Sequence, residues 1–239
     1  MRPLSAAELL DAWERGLSEP SLRRVFPVLA AAWPRDELAA LSIGERDRRL
    51  LTLRESTFGS RLASVANCLH CGEVLEWAFD TADLLIEKTV ESDLSVDVEN
   101  YHVSFRLPNT LDLASISNSE DASSARQRLL ENCISLAQHE GEEISPAALP
   151  ASVTTAIAKR MAEADPQADL EVDLSCPACG EQWQAQFDIE SFFWSEISAW
   201  AQRILLEVHK LARAYGWSEP EILNLSPWRR QFYLGLAGT

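Results

Sequence analysis

The chain has 239 residues, 46% apolar and 24% charged, with 37 acidic residues against 21 Lys and Arg for a formal net charge of −16. That length and apolar content suffice for a substantial core in a folded protein, while so acidic a chain is a poor candidate for nucleic-acid binding, which relies on basic side chains to neutralise phosphates. No apolar run approaches the roughly 20 residues that span a bilayer, and MRPLSAAELLDAWERG turns acidic and helical where a signal peptide would be apolar, so a cytoplasmic product with no membrane partner is expected.

The first 66 residues read as a small helical module. Ser5 and Glu8 have capping-box spacing ahead of a stripe of Leu9, Leu10, Trp13 and Leu17, with Gly16 near the stop. A second helix is predicted over residues 22–33, kinked or shortened at Pro27 and ended by Pro34. Ser42 with Glu45 repeats the box and opens a helix through Leu50, Leu51 and Phe58 to Gly59. Residues 74–79 alternate weakly as a strand, and residues 95–107 alternate more clearly, predicting a hairpin that turns near Glu99 and Asn100. Residues 115–124 read as a polar, mobile loop. Two helices are expected next, over 125–138 and 147–164, separated by the acidic HEGEEISP and packed as an inserted layer. Strands return at LEVDLS, residues 170–175, and at 183–187. The longest helix is expected near 191–215, with Phe193, Ile197, Trp200, Ile204, Val208, Leu211 and Tyr215 on its core stripe. Gly216 stops it, Ser218 with Glu221 offers a third capping box, and Ser226-Pro227 opens a last helix.

One stretch occurs twice, 108 positions apart: CLHCGEVLEWAFDTADLL from Cys68 and CPACGEQWQAQFDIESFF from Cys176. Six positions match in register, namely both cysteines, the Gly and Glu that follow, Phe79/Phe187 and Asp80/Asp188. Two C-x-x-C-G turns, each leading into a strand, predict one structural, tetrahedral zinc ion held by Cys68, Cys71, Cys176 and Cys179 in a zinc ribbon. A thioredoxin-like redox pair would sit at a helix N-terminus, and neither pair precedes a helical pattern. Cysteine pairs holding metal agree with a reducing compartment. His70 reads as a solvated loop residue because its counterpart is Ala178, and Cys133 as a buried core thiol.

Charge is unevenly placed. Residues 1–67 carry 10 Arg against 9 acids, whereas residues 68–125 carry 12 acids against Lys88 and Arg106. Such a stretch is either plain solvated surface or a face for a basic partner. No G-x-S-x-G, Gly-rich phosphate loop or H-E-x-x-H is present, so no enzyme activity is expected. The tail LARAYGWSEPEILNLSPWRRQFYLGL reads either as core packing or as a docking surface, in which Trp217, Trp228, Arg229 and Arg230 would contact a partner protein. It could be mistaken for a DNA-reading helix-turn-helix, against which the acidic balance weighs.

The fold class expected is α+β and predominantly α-helical, with helical N- and C-terminal modules around a small antiparallel zinc-ribbon region that carries a helical insertion. The corresponding segments are 1–66, 67–114 (first half-site and hairpin), 115–169 (insertion), 170–190 (second half-site) and 191–239. Four phrases, LSAAELLDAWERG, LSIGERDRRLLTLRESTFGSRL, FRLPNTLDLA and AYGWSEPEILNLSPWRRQFYL, resemble proteins encoded with phage-like contractile injection systems, relatives of the baseplate hub assembly chaperones of T-even phages. The resemblance runs through nearly the whole chain. It implies a non-enzymatic chaperone or minor component acting on hub, spike or wedge proteins, in the cytoplasm during assembly and with the finished particle as a second location. A zinc-ribbon regulator associated with nucleic acid is the alternative that the residues leave open.

Overall fold

Local capping sets the first helices. In the computed structural model, which describes residues 2–33, 38–87, 94–117, 119 and 121–237, α1 (Ala6–Leu17) starts at a complete capping box. The Glu8 N–H donates to Ser5 Oγ at 3.3 Å and the Ser5 N–H to the Glu8 carboxylate at 2.9 Å. Leu9, Leu10 and Trp13 are buried as expected, but Leu17, the last residue of the helix, is 56% exposed. A short 3-10 turn (Ser21–Arg23) precedes α2 (Phe26–Ala32), so Pro27 shortens the second helix and sits in its first turn, where a missing N–H costs nothing. Pro34, expected to end it, lies outside the described residues. Helix α3 (Ile43–Phe58) is capped by Ser42, whose hydroxyl accepts from the Glu45 N–H at 3.2 Å; the Glu45 carboxylate turns instead to Arg48 and Arg49.

The first departure from expectation follows. Residues 61–66 are not helical: β1 (Arg61–Asn67) pairs antiparallel with β2 (Val74–Asp80), Asn67 opposite Val74 and Leu62 opposite Phe79. Ala, Ser and Asn are weak strand formers, so β1 exists because β2 supplies its ladder. After one helical turn, α4 (Thr81–Leu84), come β3 (Leu94–Val98) and β4 (Tyr101–Phe105). Glu99 and Asn100 join them with φ of +52° and +66°, as a two-residue hairpin turn requires. The loop expected over 115–124 is shorter than predicted, its two ends being taken up by α5 (Thr110–Ile116), capped by Asn109, and α6 (Ala122–Cys133), capped by Asp121. Ser117, Ser119 and Asp121 between them are not helical, and Asn118 and Glu120 lie outside the described residues.

Helix α6 stops at Cys133, short of the expected 138. Residues 134–139 form β5 (Ile134–His139), drawn out of the helix by pairing with β4, and the HEGEEISP segment turns into β6 (Glu142–Glu143). The insertion thus keeps a helix on either side of β5 and β6, and those two strands, which the sequence did not suggest, join the β3–β4 hairpin in a four-stranded antiparallel sheet in the order β3-β4-β5-β6. Leu94, Val103, Phe105 and Ala137 of the sheet form one core with Leu130 of α6 and with Val153 and Ile157 of α7 (Ala151–Ala164). The hairpin of β7 (Glu171–Ser175) and β8 (Gln182–Gln186) comes next, then α8 (Ile189–Tyr215), α9 (Glu219–Leu223) and α10 (Pro227–Ala237). Phe193, Ile197, Ile204, Val208 and Leu211 of the α8 stripe are buried, while Tyr215 is 38% exposed.

Backbone contacts divide the chain into two units, Met1–Asp36 with Ile189–Thr239, and Glu37–Asp188. Helix α3 thus belongs with the sheets and not with α1 and α2, which differs from the sequence grouping of residues 1–66. In the first unit Trp13 Nε1 donates to Ser198 Oγ at 3.2 Å, tying α1 to α8. The described residues are 57% helical, with small antiparallel sheets.

Candidate metal centre

The two C-x-x-C-G turns have the same backbone design. In the first, the Cys68 N–H donates to the Glu73 carbonyl at 2.8 Å and the Gly72 N–H to the Cys68 carbonyl at 3.0 Å; in the second, Cys176 pairs with Glu181 at 2.8 Å and Gly180 with Cys176 at 2.9 Å. Gly72 and Gly180 have φ of +75° and +77°, a region in which a Cβ is strained. Each turn is the tip of a hairpin, β1–β2 or β7–β8, so strand pairing fixes where each pair of sulfurs points.

The hairpins bring all four sulfurs together. Cys68 Sγ lies 3.6 Å from Cys179 Sγ, Cys71 Sγ lies 3.6 Å from Cys176 Sγ, and all four fall within 4.8 Å of one another. A tetrahedral four-thiolate site with metal–sulfur bonds of about 2.3 Å places its sulfurs about 3.8 Å apart, close to the spacing found. These separations are far beyond a disulfide bond, and all five cysteines are free. Cys68 and Cys176 are buried beside Leu75, with Ala66 and Trp183 packed against them, while Cys71 and Cys179 face solvent. Trp77 links the two halves further, its ring centroid 5.0 Å from Phe79 and 6.0 Å from Phe187.

Backbone N–H groups of Cys71 and then His70 favour a thiolate at Cys68 and bring its pKa down to about 6, against the desolvation of its site. Cys179 goes the other way: the Glu181 N–H favours its thiolate, but partial desolvation beside the cluster and the neighbouring thiols push it up to about 12. Four thiols this close do not all ionise unless a cation lies among them. The residues present fit a soft, tetrahedral metal ion. His70 is exposed and offers the site its backbone N–H, which lies 3.4 Å from Cys68 Sγ. Cys133 stands apart, buried at the end of α6, where burial raises its pKa to about 11 and keeps it a thiol.

The four tail residues separate into two kinds. Trp228 is 73% exposed and Arg229 is exposed. Trp217 is half-buried, stacked on Tyr215 at 4.7 Å and edge-on to Tyr233 at 5.0 Å. Arg230 is buried: its Nε donates to Glu207 at 3.0 Å and its Nη1 to the Leu225 carbonyl at 2.6 Å. Arg230 thus clamps α10 onto α8 and is not available to a partner. Sequence reading passed over Phe232 and Leu236, which are 51% and 55% exposed and repeat from Trp228 every four residues; that spacing was the available signal. It also passed over Val65, Leu69 and Val74, whose exposure becomes visible only with the register of β1 and β2.

The fold and the cysteine cluster describe a predominantly helical protein with a metal-ready brace. Residues 27–194 match the model of the T4 bacteriophage base plate protein family. The match covers more than half of the chain and includes both cysteine turns, and the chain belongs to that family. No curated protein and no solved structure matches it. Among the described residues, no helix is long and apolar enough to cross a membrane.

Proposed function

We propose that this protein is a non-enzymatic component or assembly chaperone of the baseplate of a phage-like contractile injection system, binding hub, spike or wedge proteins in the cytoplasm and braced internally by one structural zinc ion. Family membership over residues 27–194 is the observation that carries the reading. The zinc assignment rests on four thiolate donors at tetrahedral spacing, a set suited to soft metals; four protein ligands also fill the coordination shell and leave no position for a substrate or an activated water. The ion's work would be mechanical, closing a chain loop of more than 100 residues between Cys71 and Cys176. A nucleic-acid role is disfavoured because the unit that holds the cysteines, residues 37–188, carries 27 acidic residues against 11 basic ones.

The test is affinity purification of the tagged protein from cells expressing the surrounding gene cluster, with soluble complexes and finished particles analysed separately by mass spectrometry. Hub, spike or wedge proteins recovered only from the soluble fraction identify a transient chaperone, and recovery within particles identifies a resident component. Recovery of nucleic acid in their place overturns the reading. Elemental analysis of the same preparation is expected to give one zinc per chain.

A further inference from the structure

Exposed apolar side chains gather at two places on this chain. The first is the outward face of the β1–β2 hairpin, where Val65 and Val74 are 64% and 61% exposed and Leu69, at the tip of the turn, is 81% exposed. Glu73, Glu76 and Asp80 are exposed around it, and Arg61, opposite Asp80, is the hairpin's single Lys or Arg. The matching face of β7–β8 consists of Glu171, Asp173, Ser175, Gln182, Gln184 and Gln186, all exposed. A hairpin with the same turn and register, though with strands of five residues where β1 and β2 have seven, thus folds with a fully polar outer face, so the turn and its pairing do not themselves require the two valines and the leucine. An apolar cluster held in water on one hairpin and absent from its twin marks an interaction surface.

The second place is α10. Trp228, Phe232 and Leu236 form an exposed stripe, Trp228 stacking on Phe232 with ring centroids 5.6 Å apart. Arg229 stands beside the stripe, and the groove that α10 makes with α8 is lined by His209, Lys210 and Arg213. Glu207, also on α8, is held by Arg230 and Gln231. The charge of this face is therefore opposite to that of the first hairpin.

We propose that the chain associates head to tail with a second copy of itself, the α10 stripe and its basic groove docking on the acidic, apolar outer face of the partner's β1–β2 hairpin. Each copy carries one of each face, and the two are opposite in sign and both rich in exposed apolar groups, which is the complementarity that orients one protein on another. The faces differ, so the contact is heterologous and leaves one face of each kind unused in a pair, available to further copies. This inference does not depend on the baseplate reading.

Sedimentation velocity of the purified full chain over a concentration series is the test. Wild-type protein is expected to shift to larger species as concentration rises, and added salt is expected to weaken the shift by screening the opposite charges. Val65→Asp with Val74→Gln gives the first hairpin the residues that its twin carries at Asp173 and Gln182, so the hairpin retains a fold already seen in this chain. That variant, and separately Trp228→Gln with Phe232→Gln, should each weaken association by about tenfold or more. Mixed in equal amounts, the two variants still have one intact pair of faces between them and should form dimers that grow no further. Wild-type protein that stays monomeric across the series, or a mixture that stays monomeric, overturns the proposal.

Discussion

The β1–β2 and β7–β8 hairpins share a turn, a register and a four-sulfur corner, yet they differ in nearly everything that faces away from it. Both bury their first cysteine and expose the second, and both place Gly at positive φ directly after it. Outside the turn they part: one outer face carries Val65 and Val74 among its charged residues and the other is wholly polar, and the last matched pair has taken on two tasks. Asp80 accepts from Ser60 Oγ at 2.9 Å and caps α4, whereas Asp188 lies near enough to the partly buried Asp47 carboxyl to raise its pKa. The matched positions are those that a four-sulfur corner needs, and the unmatched ones record what each hairpin touches.

The largest effect should come from the corner itself. Cys68→Ser and Cys176→Ser, though on different hairpins, are expected to do equal harm, because both remove a buried ligand from one shared ion. Structural zinc contributes on the order of 10 kcal/mol, so either change should abolish metal retention and destabilise the Glu37–Asp188 unit by several kcal/mol, seen in elemental analysis and thermal melts. A Cys176→Ser protein with native metal content and melting temperature would break the comparison outright.

Trp77 belongs to the first hairpin but touches Phe residues of both. Trp77→Ala should cost roughly 2–3 kcal/mol in denaturant unfolding, below the usual range for a fully buried aromatic because the ring is half-buried. A loss under about 0.5 kcal/mol would mean that the halves are joined by the sulfurs and the Leu75–Trp183 packing around them, without help from Trp77.

Asp47 sharpens the contrast between Asp80 and Asp188. Burial first, with Asp188 and Asp165 adding repulsion against the help of Arg46, raises its pKa to about 6. The folded state then keeps a proton up to about pH 6 that the unfolded chain releases near pH 4, so this group makes stability fall as pH rises from about 4 to 6 and level off above. Asp47→Asn should remove that slope and add on the order of 1–2 kcal/mol at neutral pH, part of the gain being offset by the lost pair with Arg46. Asp188→Asn should flatten the same slope partly. Stability curves measured from pH 4 to 7 that are parallel for wild type and Asp47→Asn would refute the assignment.

The smallest expected effect is a symmetric one. Gly72→Ala and Gly180→Ala each add a Cβ that meets nothing within 4 Å, so the penalty is backbone strain alone, about 1 kcal/mol in each hairpin, with metal content kept. Unequal losses in thermal melts would show that the two turns are not equivalent under load.

Much of the local structure was legible because its causes lie within a few residues. Ser5 with Glu8 and Ser218 with Glu221 start their helices by bonds that span three positions, Pro27 shortens α2 through its own ring, and Glu99-Asn100 turns a hairpin flanked by alternating residues. The cysteine pairs were legible for the same reason, each turn being closed by its own Gly and Glu. Residues 61–67 and 134–139 were not legible as strands, since the weak formers of β1 and the helix-like run into β5 take that form only beside β2 and β4. Arg230 shows the same limit among the candidate contacts, because its sequence neighbours do not reveal that Glu207, one helix away, would bury it.

The sequence by itself determined the four thiols, their spacing and the turns that aim them, since those depend on bonds between near neighbours. Tertiary structure alone decided that Cys68 and Cys71 meet Cys176 and Cys179 within 4.8 Å, and which of two like hairpins shows an apolar face to water. The first outcome depends on segments more than 100 positions apart being held together and the second on strand register and on which face of each hairpin packs inward, and the free energy behind both comes from burial and pairing that no short stretch of chain can supply alone.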